Sequence, residues 1–152
     1  MLRLTCVAVL IVVSGVVSEA WAGVEEEIAR LREQRVQAFQ EGNLEAFVES
    51  FADNATVTPP GEPFRIEGKD GIRAYYAGLF QAFPTRRVIA RQTSVRVYEG
   101  TTAIVNTYAR LTLVDRTGKP TIINGRASFT YVKLGGRWLV VDQHSSALPA
   151  SQ

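Results

Sequence analysis

The stretch NTYARLTLVD, residues 106–115, reads as the second half of a long β-strand whose two sides differ in character. Side chains alternate along a strand, so one side holds Ala103, Val105, Thr107, Ala109, Leu111 and Leu113, and the other holds Thr102, Ile104, Asn106, Tyr108, Arg110 and Thr112. Periodicity alone buries the first, apolar side and exposes the second to water. Fold and function both depend on which side faces the interior, because Arg110 is either a solvated arginine or the polar anchor of a ligand pocket.

Four such strands follow one another in the second half of the chain. Residues 87–98, 102–114 and 121–134 are rich in β-branched and aromatic residues, and a fourth strand runs from 138 to about 145. The first three are each about twice the usual strand length. A sheet built from such long strands must twist and bend. The sequence therefore predicts a curved sheet whose concave side can enclose a cavity.

Helical patterns precede the strands. Apolar spacing predicts a helix over 24–40, a shorter helix with the N-cap Asn43 and the stripe Leu44, Phe47, Val48 and Phe51, and a third helix over 67–83 that Pro84 ends. Between the second and third helices, three prolines and a glycine allow only a short extended piece around residues 55–58. Helices followed by a meander of strands predict an α+β domain, a cone-shaped half-barrel of strongly curved antiparallel sheet packed on the N-terminal helices.

Residues 1–22 have the pattern of a secretory signal peptide. A positively charged start precedes an apolar run over 6–17, and small residues form a cleavage motif before Gly23. The apolar run is too short to span a bilayer comfortably. The sequence therefore predicts a secreted or periplasmic protein whose mature chain, residues 23–152, is a single domain with no membrane partner after cleavage.

The amino-acid composition limits the kinds of site and partner that we expect for this chain. The only cysteine, Cys6, lies in the predicted leader, so the mature chain is expected to have no disulfide and no cysteine metal site. With His144 as the only histidine, a transition-metal site is not expected, and no sequence motif for a cofactor is present. The formal net charge is +2. So small an excess argues against nucleic acid as a partner, because phosphate binding needs a concentrated basic face.

Several short motifs together resemble a known family. They are Tyr108-Ala109-Arg110-Leu111-Thr112, Gly68-Lys69-Asp70 leading to Tyr75-Tyr76, Asp115 and Gly118 in a hairpin, and Gly136-Arg137-Trp138 followed by His144 and Ser146. In order and spacing, these motifs resemble the association domain of calcium/calmodulin-dependent protein kinase II and its free-standing bacterial relatives, within the nuclear transport factor 2-like and SnoaL-like superfamily. The resemblance covers essentially the whole mature chain.

The resemblance implies a cone with a pocket between a long helix and the curved sheet. It places the side of the strand that carries Asn106, Tyr108 and Arg110 toward the pocket. It places the opposite side, with Leu111 and Leu113, against a second copy of the chain in a homodimer or higher oligomer. This expectation inverts the assignment that periodicity makes.

The resemblance also implies what the pocket binds. The kinase association domain has arginine at two further pocket positions, and this chain has Phe129 and Ser145 there. Tyr75 is expected either at the mouth of the pocket or in the core. A pocket with Arg110 as its single arginine, aromatic walls and hydroxyl groups favours a small, mostly apolar organic ligand with one acidic end.

The sequence and the resemblance are compatible with two functions. The first is a non-catalytic, homo-oligomeric domain that binds a small organic ligand. The second is a small SnoaL-like enzyme, an isomerase, cyclase or hydratase, in which Asp142 and His144 act as acid and base. These two residues are two positions apart on the last strand and share a face, an arrangement that also fits a structural hydrogen bond.

Overall fold

The computed structural model describes residues 13–149 of the 152-residue chain. In chain order the elements are α1 (Val13–Glu41), α2 (Leu44–Val48), β1 (Phe51–Thr58), β2 (Ile66–Glu67), α3 (Gly68–Ala82), β3 (Thr85–Tyr98), β4 (Thr102–Val114), β5 (Pro120–Leu134) and β6 (Arg137–Ala147). The three predicted helices correspond to α1, α2 and α3, and the four predicted long strands correspond to β3, β4, β5 and β6.

The strands form one six-stranded sheet in the order β2-β1-β6-β5-β4-β3. From β3 to β6 the sheet is an antiparallel meander, and β1 joins its far end by pairing in parallel with β6. The sheet is strongly curved and does not close, as expected for strands of this length. The helices pack on its concave side, where α1 contacts β3 and α3 contacts β1. The predicted α+β half-barrel is confirmed.

An aromatic cluster fills the space between the helices and the sheet. Phe47 lies at its centre, with ring centroids 4.5 Å from Tyr76, 5.5 Å from Phe51 and 5.7 Å from Phe39. Most of the rings meet edge to face, which adds favourable electrostatics to the burial of their area. This cluster joins α1, α2, α3 and β1 in one core.

The second helix is shorter than predicted. Its N-cap is Asn43 as expected, since Asn43 Oδ1 accepts a hydrogen bond from the backbone N–H of Ala46 at 3.1 Å. It ends at Val48, because the backbone N–H of Val140 in β6 donates to the carbonyl of Ser50 at 2.9 Å and draws the chain into the sheet. Phe51 is therefore the first residue of β1 and not part of the helical stripe, although it is fully buried.

Arg86 ties the ends of two helices to the first long strand. Its side chain is buried, with Nε donating to the carbonyl of Phe39 at 2.8 Å and Nη1 donating to the carbonyl of Phe83. Its guanidinium also lies 4.4 Å from the ring centroid of Phe80. These carbonyls belong to the last turns of α1 and α3, where helical carbonyls have no partner within the helix and where a cation is favourable. Arg86 therefore caps both helices at once.

The two sides of β4 lie opposite to the arrangement that the resemblance implied. Ala103 and Val105 are fully buried in the chain's own core, and Leu113 is 5% exposed. Tyr108 is 44% exposed and Arg110 is exposed on the outer side of the sheet. The prediction from periodicity is correct and the inverted one is wrong, because the apolar side of the strand must cover the core and a buried arginine needs partners. The leucine side cannot form a subunit interface, and self-association of the chain stays a prediction.

The predicted leader is only partly within the described residues. Residues 1–12 lie outside them, and α1 is helical from Val13 across the expected cleavage point before Gly23. Among the side chains of α1 that are described, from residue 23 onward, the first buried one is Ile28. Cleavage before Gly23 would keep Ile28 and all the buried residues that follow it, and export stays a prediction. Among the described residues, no helix combines the length and the apolar character needed to cross a membrane.

We expect Arg86→Met to lower the free energy of unfolding by about 2–4 kcal/mol, because the buried carbonyls that Arg86 satisfies would lose their donors. Chemical denaturation measures this change. The matched control is Arg87→Met, because Arg87 is the next residue and is exposed. Equal stability of the two variants would contradict the capping role.

Candidate functional site

The cone encloses a cavity of about 340 Å³ between α1, α3 and the concave side of the sheet. This volume lies within the range of sites for small organic ligands. Aromatic and aliphatic side chains make most of the wall, including Phe39, Phe47, Leu79, Leu111, Ile123 and Phe129. Among the described residues that line the cavity, none is Asp, Glu or His.

Arg35 of α1 is part of the wall of this cavity. Its side chain is only 5% exposed, and its guanidinium carbon lies 4.7 Å from the ring centroid of Phe47 and 4.8 Å from those of Phe51 and Phe129. Three rings thus surround one cation, an arrangement favoured by the negative faces of aromatic rings. Burial lowers the pKa of Arg35, but a guanidinium remains protonated in proteins.

Arg35 is incompletely paired. Its Nη2 donates to Oε1 of Gln143, whose Nε2 lies 3.4 Å from the hydroxyl oxygens of Tyr76 and Ser145. Its Nε has no hydrogen-bond partner, and the hydroxyl of Tyr131 also has none within the described residues. Within the same part of the chain, no carboxylate lies within 4.0 Å of the guanidinium. A desolvated cation without an anionic partner is costly to keep.

Two further arginines add positive charge. Arg32, one turn before Arg35 on α1, is partly buried and lines the cavity, and its charge contributes to the lowered pKa of Arg35. Arg126 of β5 also contributes to the lining, with Nε donating to Ser146 Oγ at 3.3 Å. Because the described lining has three cations and no carboxylate, the cavity attracts anions.

The phenols in and next to the cavity are held in their neutral form. Burial raises the pKa of Tyr75 to about 12 and raises the pKa values of Tyr76 and Tyr131. At neutral pH each is a hydroxyl that can donate a hydrogen bond. These groups suit the binding of an acceptor, and none of them is a base near neutral pH.

Three of the residues predicted for the site line the cavity, and three do not. Tyr75, Phe129 and Ser145 are part of its wall. Asn106, Tyr108 and Arg110 lie on the outer side of β4, where Asn106 Nδ2 donates to Ser128 Oγ at 2.7 Å. The buried arginine of the cavity wall is therefore Arg35, and Arg110 does not line the cavity.

The predicted acid–base pair also lies outside the cavity. Asp142 and His144 are both exposed, and Asp142 Oδ1 accepts a hydrogen bond from Thr56 Oγ1 at 2.5 Å. His144 instead lines a separate groove on the outer side of the sheet. In the described part of the chain no hydrogen bond joins the two side chains, so they share a face without forming a pair. The same residues hold no group of three or more His, Cys, Asp or Glu that could bind a metal ion.

The sequence contains an indication that Arg35 is buried, but the prediction of α1 considered only its apolar residues. Arg35 is seven residues after Ile28 and four before Phe39, which places it on the buried face of the helix. A charged residue at such a position is uncommon and marks a buried polar contact. Gln143 has no comparable signal, because an irregularity in the pairing of β5 and β6 interrupts the alternation just before it.

Solved structures similar to this one share its fold. One is described as a "putative calcium/calmodulin dependent protein kinase II association domain" from Xanthomonas campestris, with 24% identity over 82% of this chain and 88% of that chain, and a TM-score of 0.74. A "nuclear transport factor 2 (NTF2-like) superfamily protein" from Salmonella enterica has 18% identity, covers 87% and 96%, and has a TM-score of 0.77. A "putative scytalone dehydratase" from Novosphingobium aromaticivorans has 15% identity, covers 86% and 88%, and has a TM-score of 0.79. At these identities the likeness shows the fold alone.

Sequence comparison places the chain in a family. No functionally curated protein is significantly similar to it in sequence. The sequence profile of the SnoaL-like domain matches residues 33–141, a range that holds Arg35 and most of the sheet. Since this match spans well over half of the chain, the protein belongs to the SnoaL-like domain family, within the nuclear transport factor 2-like superfamily.

Proposed function

We propose that this protein binds a small, mostly apolar organic molecule with one acidic group, and that the acidic group pairs with Arg35. The observation that carries the proposal is the guanidinium of Arg35, which is desolvated at the wall of an acid-free cavity. An entering anion would supply the charge partner that the described residues do not provide. The bond would be charge-assisted and therefore stronger than one between neutral groups.

The rest of the ligand is selected by the cavity wall. Leu79, Leu111 and Ile123 face aromatic rings across a volume of about 340 Å³. Such a wall favours an apolar body and cannot satisfy several polar groups. The neutral hydroxyls of Tyr76 and Ser145 lie around Gln143, next to the anchor, where they can donate to the same anion.

The lining supports binding more than acid–base catalysis. The alternative, an isomerase, cyclase or hydratase that uses Asp142 and His144, has lost its geometric support because both residues lie on the outer side of the sheet. The dehydratase named among the similar structures indicates that the fold can hold such chemistry, and fold alone does not transfer it. If the predicted leader is cleaved, binding would take place in the periplasm or outside the cell.

Arg35→Met tests the anchor. Anilinonaphthalene sulfonate is an apolar anion, and N-phenylnaphthylamine is a similar neutral molecule, so fluorescence titration with both separates charge recognition from apolar binding. We expect the variant to bind the sulfonate at least roughly thirtyfold more weakly, as for other buried charge pairs that lose one partner. Its affinity for the neutral probe should change by less than about threefold, because the apolar wall is kept.

Arg30→Met is the control for that experiment, because Arg30 lies on the same helix and is exposed. It should bind both probes as the wild type does. Arg35→Met should fold with equal or greater stability, since a linear apolar side chain replaces a buried charge. An unchanged affinity for the sulfonate, or an equal loss for both probes, would refute the role of Arg35.

Filling the cavity should abolish binding of both probes. Ala109 is a small residue of β4 that lines the cavity, and Ala109→Phe would occupy part of the space that a ligand needs. Ala147→Phe is the control, because Ala147 is exposed near the end of β6. Retention of both probes by a folded Ala109→Phe variant would show that they bind elsewhere.

Binding of the sulfonate should be independent of pH between about pH 6 and pH 9, since no group in the described lining titrates there. Burial keeps Tyr75 protonated, with a pKa of about 12. Loss of protons from the phenols would weaken anion binding, so any decline should come only at the alkaline end. A step near neutral pH that disappears in His144→Ala would contradict this assignment and favour a site that includes His144.

A further inference from the structure

The cavity between the helices and the sheet extends toward the end of the sheet where β5 begins. The ladder between β5 and β6 ends where Gly125 pairs with Ala147, but the ladder between β4 and β5 continues to Val114 and Pro120. Residues 120–124 of β5 therefore lie beyond the last ladder pair of β6, over a length of about 16 Å. The strand β3 extends with β4 along this part of the sheet.

The concave side of this extension is lined by apolar side chains. Val88, Leu111 and Ile123 lie side by side on β3, β4 and β5, because Leu111 pairs with both of the others. All three line the cavity, and so do Leu79 and Phe83 on the side of the helices. We call the part of the cavity between these five side chains the apolar arm. Each of the five is only partly buried, so a ligand in the apolar arm would remove apolar surface from water.

Small residues line the wall between the apolar arm and the guanidinium of the cavity. On β5, Gly125 and Ala127 lie between Ile123 of the apolar arm and Phe129, whose ring faces the guanidinium. Ala109 of β4 pairs with Gly125. Gly125, Ala127 and Ala109 all line the cavity. Their short side chains leave space over this part of the sheet, so the apolar arm and the charged end belong to one continuous cavity.

The cavity is longer than a compact ring system. Along β5, six residues separate Phe129 from Ile123, which corresponds to about 20 Å of strand. Along the helix, seven residues separate Tyr76 from Phe83, which corresponds to about 10 Å. A fused pair of rings held at Arg35 would leave the apolar arm without a contact partner, and the lost contacts would weaken binding. A flexible chain can follow the curved wall and fill both ends.

We propose that the ligand is a straight-chain aliphatic carboxylic acid whose carboxylate pairs with Arg35 and whose hydrocarbon tail lies in the apolar arm. This inference rests on the proposed function, because it requires Arg35 to hold the acidic group. The planar carboxylate matches the donor geometry of a guanidinium. A second polar group on the tail would be unpaired, because none of the five side chains of the apolar arm has a hydrogen-bonding group.

Calorimetric titration of the full chain with the sodium salts of hexanoic, octanoic, decanoic and dodecanoic acid, each below its micellar concentration, tests the proposal. We expect one acid to bind per chain. Affinity should rise about tenfold with each pair of methylene groups until the apolar arm is full, because each buried methylene adds a constant increment. The compact acid 1-naphthoate should bind at least roughly tenfold more weakly than dodecanoate, because it does not reach the apolar arm.

Leu111→Trp tests the place of the tail. The larger side chain would occupy the apolar arm, and we expect the affinity for dodecanoate to fall at least about tenfold. The matched control is Leu134→Trp, because Leu134 is an exposed leucine at the other end of β5 and does not line the cavity. The control should bind the four acids as the wild type does. Should Leu111→Trp fail to fold, Val88→Phe serves the same purpose from the neighbouring strand.

Equal affinities for the four acids, tighter binding of 1-naphthoate than of dodecanoate, or an equal loss in Leu111→Trp and Leu134→Trp overturns the proposal. If charge recognition by Arg35 is found with the sulfonate probe while chain length has no effect, this inference fails and the proposed function stands. Dodecanol is the neutral counterpart of dodecanoate. Equal binding of dodecanol and dodecanoate that Arg35→Met leaves unchanged would refute the proposed function, and this inference with it.

Discussion

The contact between the guanidinium of Arg35 and the rings of Phe47, Phe51 and Phe129 joins the fold to the site. It brings α1, α2, β1 and β5 together around one cation, and Gln143 adds β6 through a hydrogen bond. Each of these elements has an apolar surface whose burial is favourable. Together they surround the charged guanidinium of Arg35, whose burial is unfavourable. The ring faces partly offset the desolvation of the charge. A bound ligand anion would reduce the rest of this desolvation free energy.

The two buried arginines, Arg35 and Arg86, differ in how many of their donors have partners. Arg86 is buried and its donors reach backbone carbonyls at the ends of two helices, so it stabilises the fold and has little left to bind. Arg35 is as deeply buried but has an unpaired Nε. Arg110 is exposed and has no ion pair among the described residues. The donor without a partner therefore distinguishes buried Arg35 from buried Arg86, whose role is structural.

The curved sheet has two unlike faces. The concave face is apolar and covered by α1 and α3, which makes it suitable for an apolar ligand. On the convex face, β3, β4 and β5 present exposed arginines and contain no Asp or Glu. Membership of the SnoaL-like domain family accounts for the shape of the domain. What each face can bind depends on its side chains and not on the fold.

Local pattern determined most of the fold. Periodicity alone predicted the four long strands to within two or three residues at their ends, the helices α1 and α3, and the buried side of β4, because these depend on which residues alternate or recur along the chain. Carrying the resemblance over residue by residue failed at Arg110, because likeness of a short motif does not determine which side of a strand covers the core. Only the tertiary structure showed that Arg35 is enclosed by aromatic rings at the cavity wall, because these rings come from three elements that the curvature of the sheet brings together. Likewise, the basic face was visible only once the strand register placed arginines from β3, β4 and β5 side by side.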